Sequence, residues 1–362
     1  MGDKSAFVEL MRVRLEDVCE KESSKLKQSD VIDQNGLYPV YGASGYLGNI
    51  NTYQQSNYYI AVVKDGAGIG RTMLLPPGSS IIGTMQYLIP KDNVLPEYLY
   101  YVVKAKHLEK YFSGATIPHI YFKDYKNEQF DLVSFDEQRE IINRLKKIEI
   151  IIDNLSKNLL LLDELVRARF VEIFGDVQDA KKHSDKQLKD ICNTVTGGTP
   201  STKHAEYYNG TIPWISTVSL GPNYIDGTTA KAFITQEAVD NSATKIIPSG
   251  SILFGTRVGV GKSSINQVEM CTNQDIVAII DLDESKYNKL YIKYVLDTYQ
   301  SYFDSIKKGA TILGISSDDL KNIYIPAASL YEQNRFEKFV KQIDKSRLLS
   351  NHSLFLIKSI IF

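Results

Sequence analysis

Ser134-Phe135-Asp136-Glu137-Gln138 opens a stretch in which apolar residues fall at Ile141, Leu145, Ile148, Ile152, Leu155, Leu159, Leu162, Val166 and Ile173. The steps alternate four and three. That is a heptad seam, and it predicts one long helix. Ser134 with Glu137 is a capping box that marks its start, and Gly175 ends it. The opening recurs 195 residues later as Ser329-Leu330-Tyr331-Glu332-Gln333. A second seam follows at Phe336, Val340, Ile343, Arg347, Ser350, Leu354, Ile357 and Ile361. Arg347 and Ser350 interrupt it. Either they form a polar pair that fixes register at some cost in stability, or they are simply half exposed.

The repeat extends upstream of the helices. Gly114-Ala115-Thr116-Ile117 recurs at 309–312 and Lys126-Asn127 at Lys321-Asn322. At the 195-residue offset, 13 of the 36 positions from Gly114 to Glu149 are identical, so the chain holds two copies of one unit. Earlier matches need shorter offsets. Leu15-Glu16-Asp17-Val18-Cys19 pairs with Leu188-Lys189-Asp190-Ile191-Cys192, and Gly68-Ile69-Gly70-Arg71 with Gly259-Val260-Gly261-Lys262. The copies therefore differ mainly in their first two-thirds.

Ahead of each helix lie short β-type runs broken by glycine and proline. They are Tyr38–Tyr41, Tyr58–Val63, Ile81–Ile82 and Gln86–Ile89 in copy one, and Ile212–Ser216, Ser251–Phe254 and Ile276–Ile280 in copy two. Patterns over Pro96–Phe112 and Tyr287–Ile306 predict short helices. The expected fold class is α+β, with two mixed globular domains at 1–133 and 187–328. The long helices span 134–175 and 329–362, with a polar linker at 176–186, and matching seams predict that they pair as an antiparallel coiled coil. A helix of about 40 residues is about 60 Å long, or roughly 17 base pairs of B-DNA. The seams alone equally allow a scaffold or a dimerisation device. The second helix reaches Phe362, short of the equivalents of Phe170–Gly175, and is expected to pair nonetheless.

At 362 residues, 43% hydrophobic and 23% charged, the chain has room for two ordinary domains. No apolar run approaches a membrane span, and Met1-Gly2-Asp3-Lys4 lacks signal-peptide character. Three cysteines without metal spacing read as small core residues in a reducing compartment, so a cytoplasmic location is expected. The net charge of −1 gives no basic block. A DNA ligand would have to be held by local clusters, or share its neutralisation with a partner.

No catalytic constellation is visible. Gly255-Thr256-Arg257-Val258-Gly259-Val260-Gly261-Lys262-Ser263 fails the phosphate-loop spacing because Thr256 stands where glycine is required. It reads instead as a glycine-rich turn between two strands, repeated around Gly66–Arg71. Its basic residues Arg71, Arg257 and Lys262 are placed to touch phosphates or a groove edge. Two loop clusters carry hydroxyls among small residues: Tyr38–Tyr46, with Tyr41, Ser44 and Tyr46, and Thr196–His204, with Thr199, Ser201 and Lys203. Such residues suit phosphate contacts, and they equally suit turns. Trp214 and Tyr207-Tyr208 read as packing. The five histidines show no metal pairing, and no cofactor is expected.

The order of these features resembles the specificity subunit of type I restriction–modification systems. In copy two the resemblance rests on Gly197-Gly198-Thr199-Pro200-Ser201, Ile212-Pro213-Trp214-Ile215, Gly259-x-Gly261-Lys262, Asn273-Gln274, Gly309-Ala310-Thr311, Ile325-Pro326 and Glu332-Gln333. Copy one carries Gly36-x-Tyr38-Pro39-Val40-Tyr41-Gly42, Gly114-Ala115-Thr116 and Glu137-Gln138, with Met85-Gln86 read opposite Asn273-Gln274. The resemblance implies a non-catalytic chain whose two target recognition domains each read one half of an asymmetric, bipartite site in double-stranded DNA. It implies that the helices set the gap and dock adenine-N6 methyltransferase subunits, expected to be two. Restriction/translocase subunits join that core, and no membrane is involved. The DNA-side residues expected are Tyr41, Ser44, Tyr46, Arg71, Thr199, Ser201, Lys203, Arg257 and Lys262.

Overall fold

The computed structural model covers residues 11–32, 34–114, 118–177, 184 and 186–361, with side chains described to Ser359. The chain divides into two compact units, Met1–Ser156 with Ser353–Phe362, and Lys157–His352.

In the first unit the elements are β1 (Met11–Arg14), α1 (Leu15–Val18), β2 (Cys19–Ser23), β3 (Tyr38–Gly42), β4 (Gly45–Ile50), β5 (Tyr59–Val63), β6 (Thr72–Leu75), β7 (Ser80–Ile81), β8 (Met85–Pro90), α2 (Pro96–Ala105), α3 (Phe122–Tyr125), β9 (Gln129–Leu132) and the start of α4 (Phe135–Phe174). A four-stranded antiparallel sheet runs β2-β8-β5-β6. A smaller sheet runs β4-β3-β7, with β3 antiparallel to β4 and parallel to β7. β5 is buried throughout, so its alternating side chains feed two cores. Ile60 and Val62 join Leu99 and Val103 of α2, while Tyr59, Ala61 and Val63 join Tyr87, Leu75 and Ile81. Burying each such large side chain contributes roughly 1.5–3 kcal/mol.

The second unit holds the end of α4, β10 (Asn193–Thr196), β11 (Ile212–Ile215), β12 (Tyr224–Ile225), β13 (Ala232–Ile234), α5 (Gln236–Asp240), β14 (Ile252–Gly255), β15 (Ser263–Asn266), β16 (Cys271–Thr272), β17 (Ile276–Ile280), α6 (Lys289–Thr298), α7 (Gln300–Ile306), α8 (Ser317–Lys321) and α9 (Leu330–Ile361) as far as His352. Its sheets run β10-β17-β14-β15-β12 and β13-β11-β16. These two sheets repeat the order of the two sheets described for the first unit, with β12 added, while the first unit's β1–β9 pair has no matching sheet among the described residues of the second. β14 splits its residues between two cores as β5 does, Ile252 and Phe254 to one and Leu253 to the other. The duplication is thus preserved in topology where it has faded in sequence.

Register corrects one correspondence read from the sequence. Met85 pairs with Val63 as Ile276 pairs with Gly255, so Met85-Gln86 matches Ile276-Val277. The counterpart of Asn273 is Ile82: Ile82 N donates to Tyr41 O and Asn273 N to Ile215 O, both at 3.0 Å.

Both long helices begin as capping boxes. Ser134 N and Oγ donate to Glu137 at 3.0 and 2.8 Å, and Ser329 N and Oγ donate to Glu332 at the same distances. The glutamine that follows has a separate role. Gln138 is buried, accepts from Leu95 N at 2.8 Å and donates to Val133 O; Gln333 accepts from Asn288 N at 2.8 Å and donates to Ala328 O. Each glutamine latches its helix to the residue preceding the short helix of its unit. The Ser329 hydrogen bonds hold the Glu332 carboxyl below the usual glutamate value of about 4.3. A depressed value means the cap is complete above that pH and lost as pH falls through the folded value. Amide protection at 332–334, corrected for intrinsic exchange, is therefore expected to fall below about pH 4.3 and to lose this dependence in Ser329→Ala.

Along α4 the seam residues from Ile141 to Val166 are half-buried or buried, whereas Ile150, Ile151, Leu160, Leu161 and Leu165 are exposed. Within the second unit, Val166 and Phe170 of α4 enter the core with Phe336 and Val340 of α9. The Phe170 and Phe336 rings lie 5.5 Å apart, and Asp163 pairs with Arg347. Descending α4 corresponds to ascending α9, so these segments run in opposite directions.

Cys19 and Cys192, equivalent by repeat, each donate to the carbonyl four residues back at 3.1 Å. Burial pushes both thiols up to about 12, and Cys271 up to about 11, so all three are packing residues. Among the described residues no helix is long and apolar enough to cross a membrane.

Candidate nucleic-acid interface

The glycine-rich turns connect β5 to β6 and β14 to β15. Val63 N donates to Arg71 O and Gly70 N to Val63 O, both at 2.9 Å. Gly255 N donates to Lys262 O at 2.9 Å and Gly261 N to Gly255 O at 3.1 Å, so the same clasp closes both turns. Gly70 and Gly261 have φ of 82° and 91°, and a Cβ at Gly70 would stand 2.6 Å from Glu109 N. These glycines shape a turn. No helix of phosphate-loop type follows either one.

In the first unit four of the expected residues come together. Tyr41 and Tyr46 face each other across the β3–β4 hairpin, edge to face at 6.2 Å, and Ser44 is exposed at its tip. Arg71 Nη1 donates to Ala43 O at 2.7 Å, tying the glycine turn to that tip while the side chain stays exposed. Its remaining guanidinium donors are available for a phosphate or a guanine edge. Sequence reasoning passed over Asn49, whose Oδ1 accepts from Tyr46 Oη at 3.2 Å, and exposed Tyr53, which packs against Tyr38 at 4.8 Å. Asn49 meets Tyr46 along β4, and Tyr53 meets Tyr38, the first residue of β3.

In the second unit two of the expected residues are brought together through Gln274 and Asp275. Thr199 Oγ1 donates to Gln274 Oε1 at 2.5 Å. The next residue, Asp275, accepts from Thr256 N at 2.8 Å through its carbonyl, and its carboxylate lies 3.9 Å from Arg257. Ser201 and Lys203 are exposed on the segment that follows Thr199, and Lys262 is exposed at the far end of the glycine turn, with its chain over Gly259. Lys203 and Lys262 have no ion-pair partner among the described residues. Trp214 is buried and donates from Nε1 to Gly198 O at 3.0 Å, so it supports the loop from below.

The two hydroxyl-rich clusters occupy different places in the repeat. Tyr38–Tyr41 lies on β3, whose counterpart is β11 (Ile212–Ile215), whereas Thr199–Lys203 lies between β10 and β11. Where copy one has the short turn of Ala43 and Ser44, copy two inserts Ser216–Lys231, including β12. The copies thus present different loops on one frame.

A feature common to both is the glycine-alanine-threonine loop. Lys308 and Gly314 exchange two backbone hydrogen bonds at 2.8 and 3.0 Å, and Ser113 and His119 do the same at 2.8 Å. The residue that follows this segment in copy one, and its counterpart region in copy two, bond to the glycine turn: Gly66 N donates to Pro118 O at 3.0 Å, and Ile315 N to Thr256 O at 2.8 Å. Ala115, Thr116 and Ile117 of copy one, and most of the expected linker 176–186, lie outside the described residues.

The family model described as the type I restriction modification DNA specificity domain matches this chain twice, over residues 8–161 and 181–357. The chain belongs to that family. It is 32% identical over 184 residues to the type I restriction enzyme MjaIX specificity subunit of Methanocaldococcus jannaschii, covering 50% of this chain and 43% of that protein. It is 30% identical over 251 residues to the EcoR124I/EcoR124II specificity subunit of Escherichia coli, covering 60% of each. The chain thus matches about half the length of these curated relatives. Its fold is similar to the S subunit of a type I restriction–modification system from M. genitalium, with a TM-score of 0.55 at 15% identity over 99% of this chain and 96% of that one. A chain from a study of complex assembly and conformational transition of the type I R-M system gives a TM-score of 0.63 at 15% identity, covering 99% of this chain and 97% of that one.

Proposed function

We propose that this member of the family is the non-catalytic DNA-recognition subunit of a type I restriction–modification complex, each globular domain reading one half of an asymmetric bipartite site. The observation that carries the reading is one frame used twice with different loops: Tyr41, Ser44, Tyr46 and Arg71 gathered in the first unit, and Thr199 and Arg257 in the second, with Ser201, Lys203 and Lys262 exposed around them. The domains are 1–133 and 187–328, and the long helices at 134–175 and 329–362 form an antiparallel coiled coil that sets the gap. Apolar residues off the α4 seam, such as Ile151, Leu160 and Leu161, suit docking of two adenine-N6 methyltransferase subunits. Those subunits methylate, and restriction/translocase subunits cleave. Partners that embrace double-stranded DNA share the phosphate neutralisation, which reconciles a net charge of −1 with DNA binding.

The test is an exchange of residues 1–133 for the first domain of another family member, assayed with the methyltransferase partner by methylation-sensitive sequencing. One half of the methylated word is expected to change and the other to stay. In the same complex, Arg257→Ala with Lys262→Ala is expected to lower the slope of log affinity against log salt by about 2, roughly 0.9 per lost phosphate contact. A complex that retains DNA without regard to sequence would sink the proposal in favour of a scaffold whose globules bind protein or glycan.

A further inference from the structure

The first seam is apolar from Ile141 to Val166, whereas the second carries Arg347 at its middle, 195 positions after Ile152. In the second unit the Arg347 side chain is four-fifths covered. Its guanidinium donates to Asp163 of α4, and from Nη1 to Asp344 at 3.0 Å on its own helix. Asp344 in turn accepts from Asn223 Nδ2 at 2.9 Å, just ahead of β12, the strand that copy one lacks. Arg347 Nε is buried with no hydrogen-bond partner among the described residues. A covered cation held by one carboxylate on the facing helix tolerates few alternatives. Sliding α9 by one heptad would bring Arg347 level with Ser156 or with Phe170, neither of which carries a charge. A purely apolar seam has no such penalty, because leucine and isoleucine pack nearly as well one heptad along.

We infer that the Asn223–Asp344–Arg347–Asp163 chain is a register lock for α4 against α9, and that it fixes the gap length this protein selects. The inference rests on the proposed function, and it goes further by naming the residues that choose one gap. A slip of seven residues moves one helix by about 10 Å, roughly three base pairs. Arg347 and Asp163 act as positioning residues and need not touch DNA.

The experiment uses the full chain with its methyltransferase partner and a plasmid library holding both half-words at every gap within four base pairs of the wild-type value. The wild type is expected to methylate one gap. Arg347→Ile, which installs the residue found in copy one, is expected to raise methylation at least tenfold at a gap about three base pairs away, with both half-words unchanged. Arg347→Lys keeps the charge and is expected to retain the single gap. If Arg347→Ile does not fold, Asp163→Asn, at the more exposed partner, carries the test with the same expectation. One gap in both Arg347→Ile and Asp163→Asn, even with a lowered melting temperature, overturns the lock alone. A wild-type complex that methylates no two-part word overturns the proposed function and the lock together.

Discussion

Phe170→Ala is expected to cost the second unit about 3–5 kcal/mol, the range for deleting a fully buried aromatic ring. Phe170 has no exposed surface and contacts Phe174, Phe336 and Tyr291 with ring centroids 4.9, 5.5 and 5.9 Å away. The sequence assigns Phe170 to the helix that closes copy one. The fold instead uses the last part of that helix as core for copy two. Urea unfolding followed by probes in each unit separates these views: the transition reported by Trp214, the single tryptophan, should move to lower urea in Phe170→Ala. A Trp214 transition that stays in place would show that the end of α4 contributes nothing to the second core.

The second large effect concerns a pair of glycines. Gly36 and Gly210 each lie two residues before a central strand of the small sheet, β3 and β11, whose first residues Tyr38 and Ile212 pair with Ile50 and Ile234, the last residues of the neighbouring strand. A Cβ at either would stand 1.9 Å from backbone atoms of that isoleucine, the carbonyl carbon of Ile50 or the carbonyl oxygen of Ile234. Backbone inside a ladder cannot give way as the end of a flexible side chain can. Gly36→Ala and Gly210→Ala are therefore each expected to cost about 3 kcal/mol, the upper end of the overpacking range, by forcing the hairpin open. Because each hairpin belongs to one unit, Gly36→Ala should relax selection at one half-word and Gly210→Ala at the other. Methylation of duplex libraries randomised in each half checks this, and equal relaxation of both halves by either variant would falsify the assignment.

Much of the fold was legible because its signals are local. The capping boxes, the four-three seam and the glycine turns each depend on residues within a few positions of one another, so the sequence displays them directly. The candidate site was legible in part. The basic and hydroxyl residues could be picked out as types, but their grouping could not. Arg71 is joined to the Tyr41–Tyr46 hairpin by a bond to Ala43 O, and Thr199 to Arg257 through Gln274 and Asp275. Both links span distant segments. Asn49 and Tyr53 carried no sequence signal, since an asparagine or tyrosine outside the core is ordinary until the fold puts it beside others.

By itself, then, the sequence determined that a unit is repeated, where each long helix starts, and that cysteine and glycine serve packing and turns. These follow from short-range chemistry written in consecutive residues. Tertiary structure decided the rest: which strands are equivalent, that the buried Gln138 and Gln333 latch their helices, and that the end of the first helix belongs to the second core. It also decided that Arg347, ambiguous in the seam, faces Asp163. A charge on a heptad position reads the same whether it meets solvent or a carboxylate, because the facing residue lies 184 positions away and only packing brings the two together.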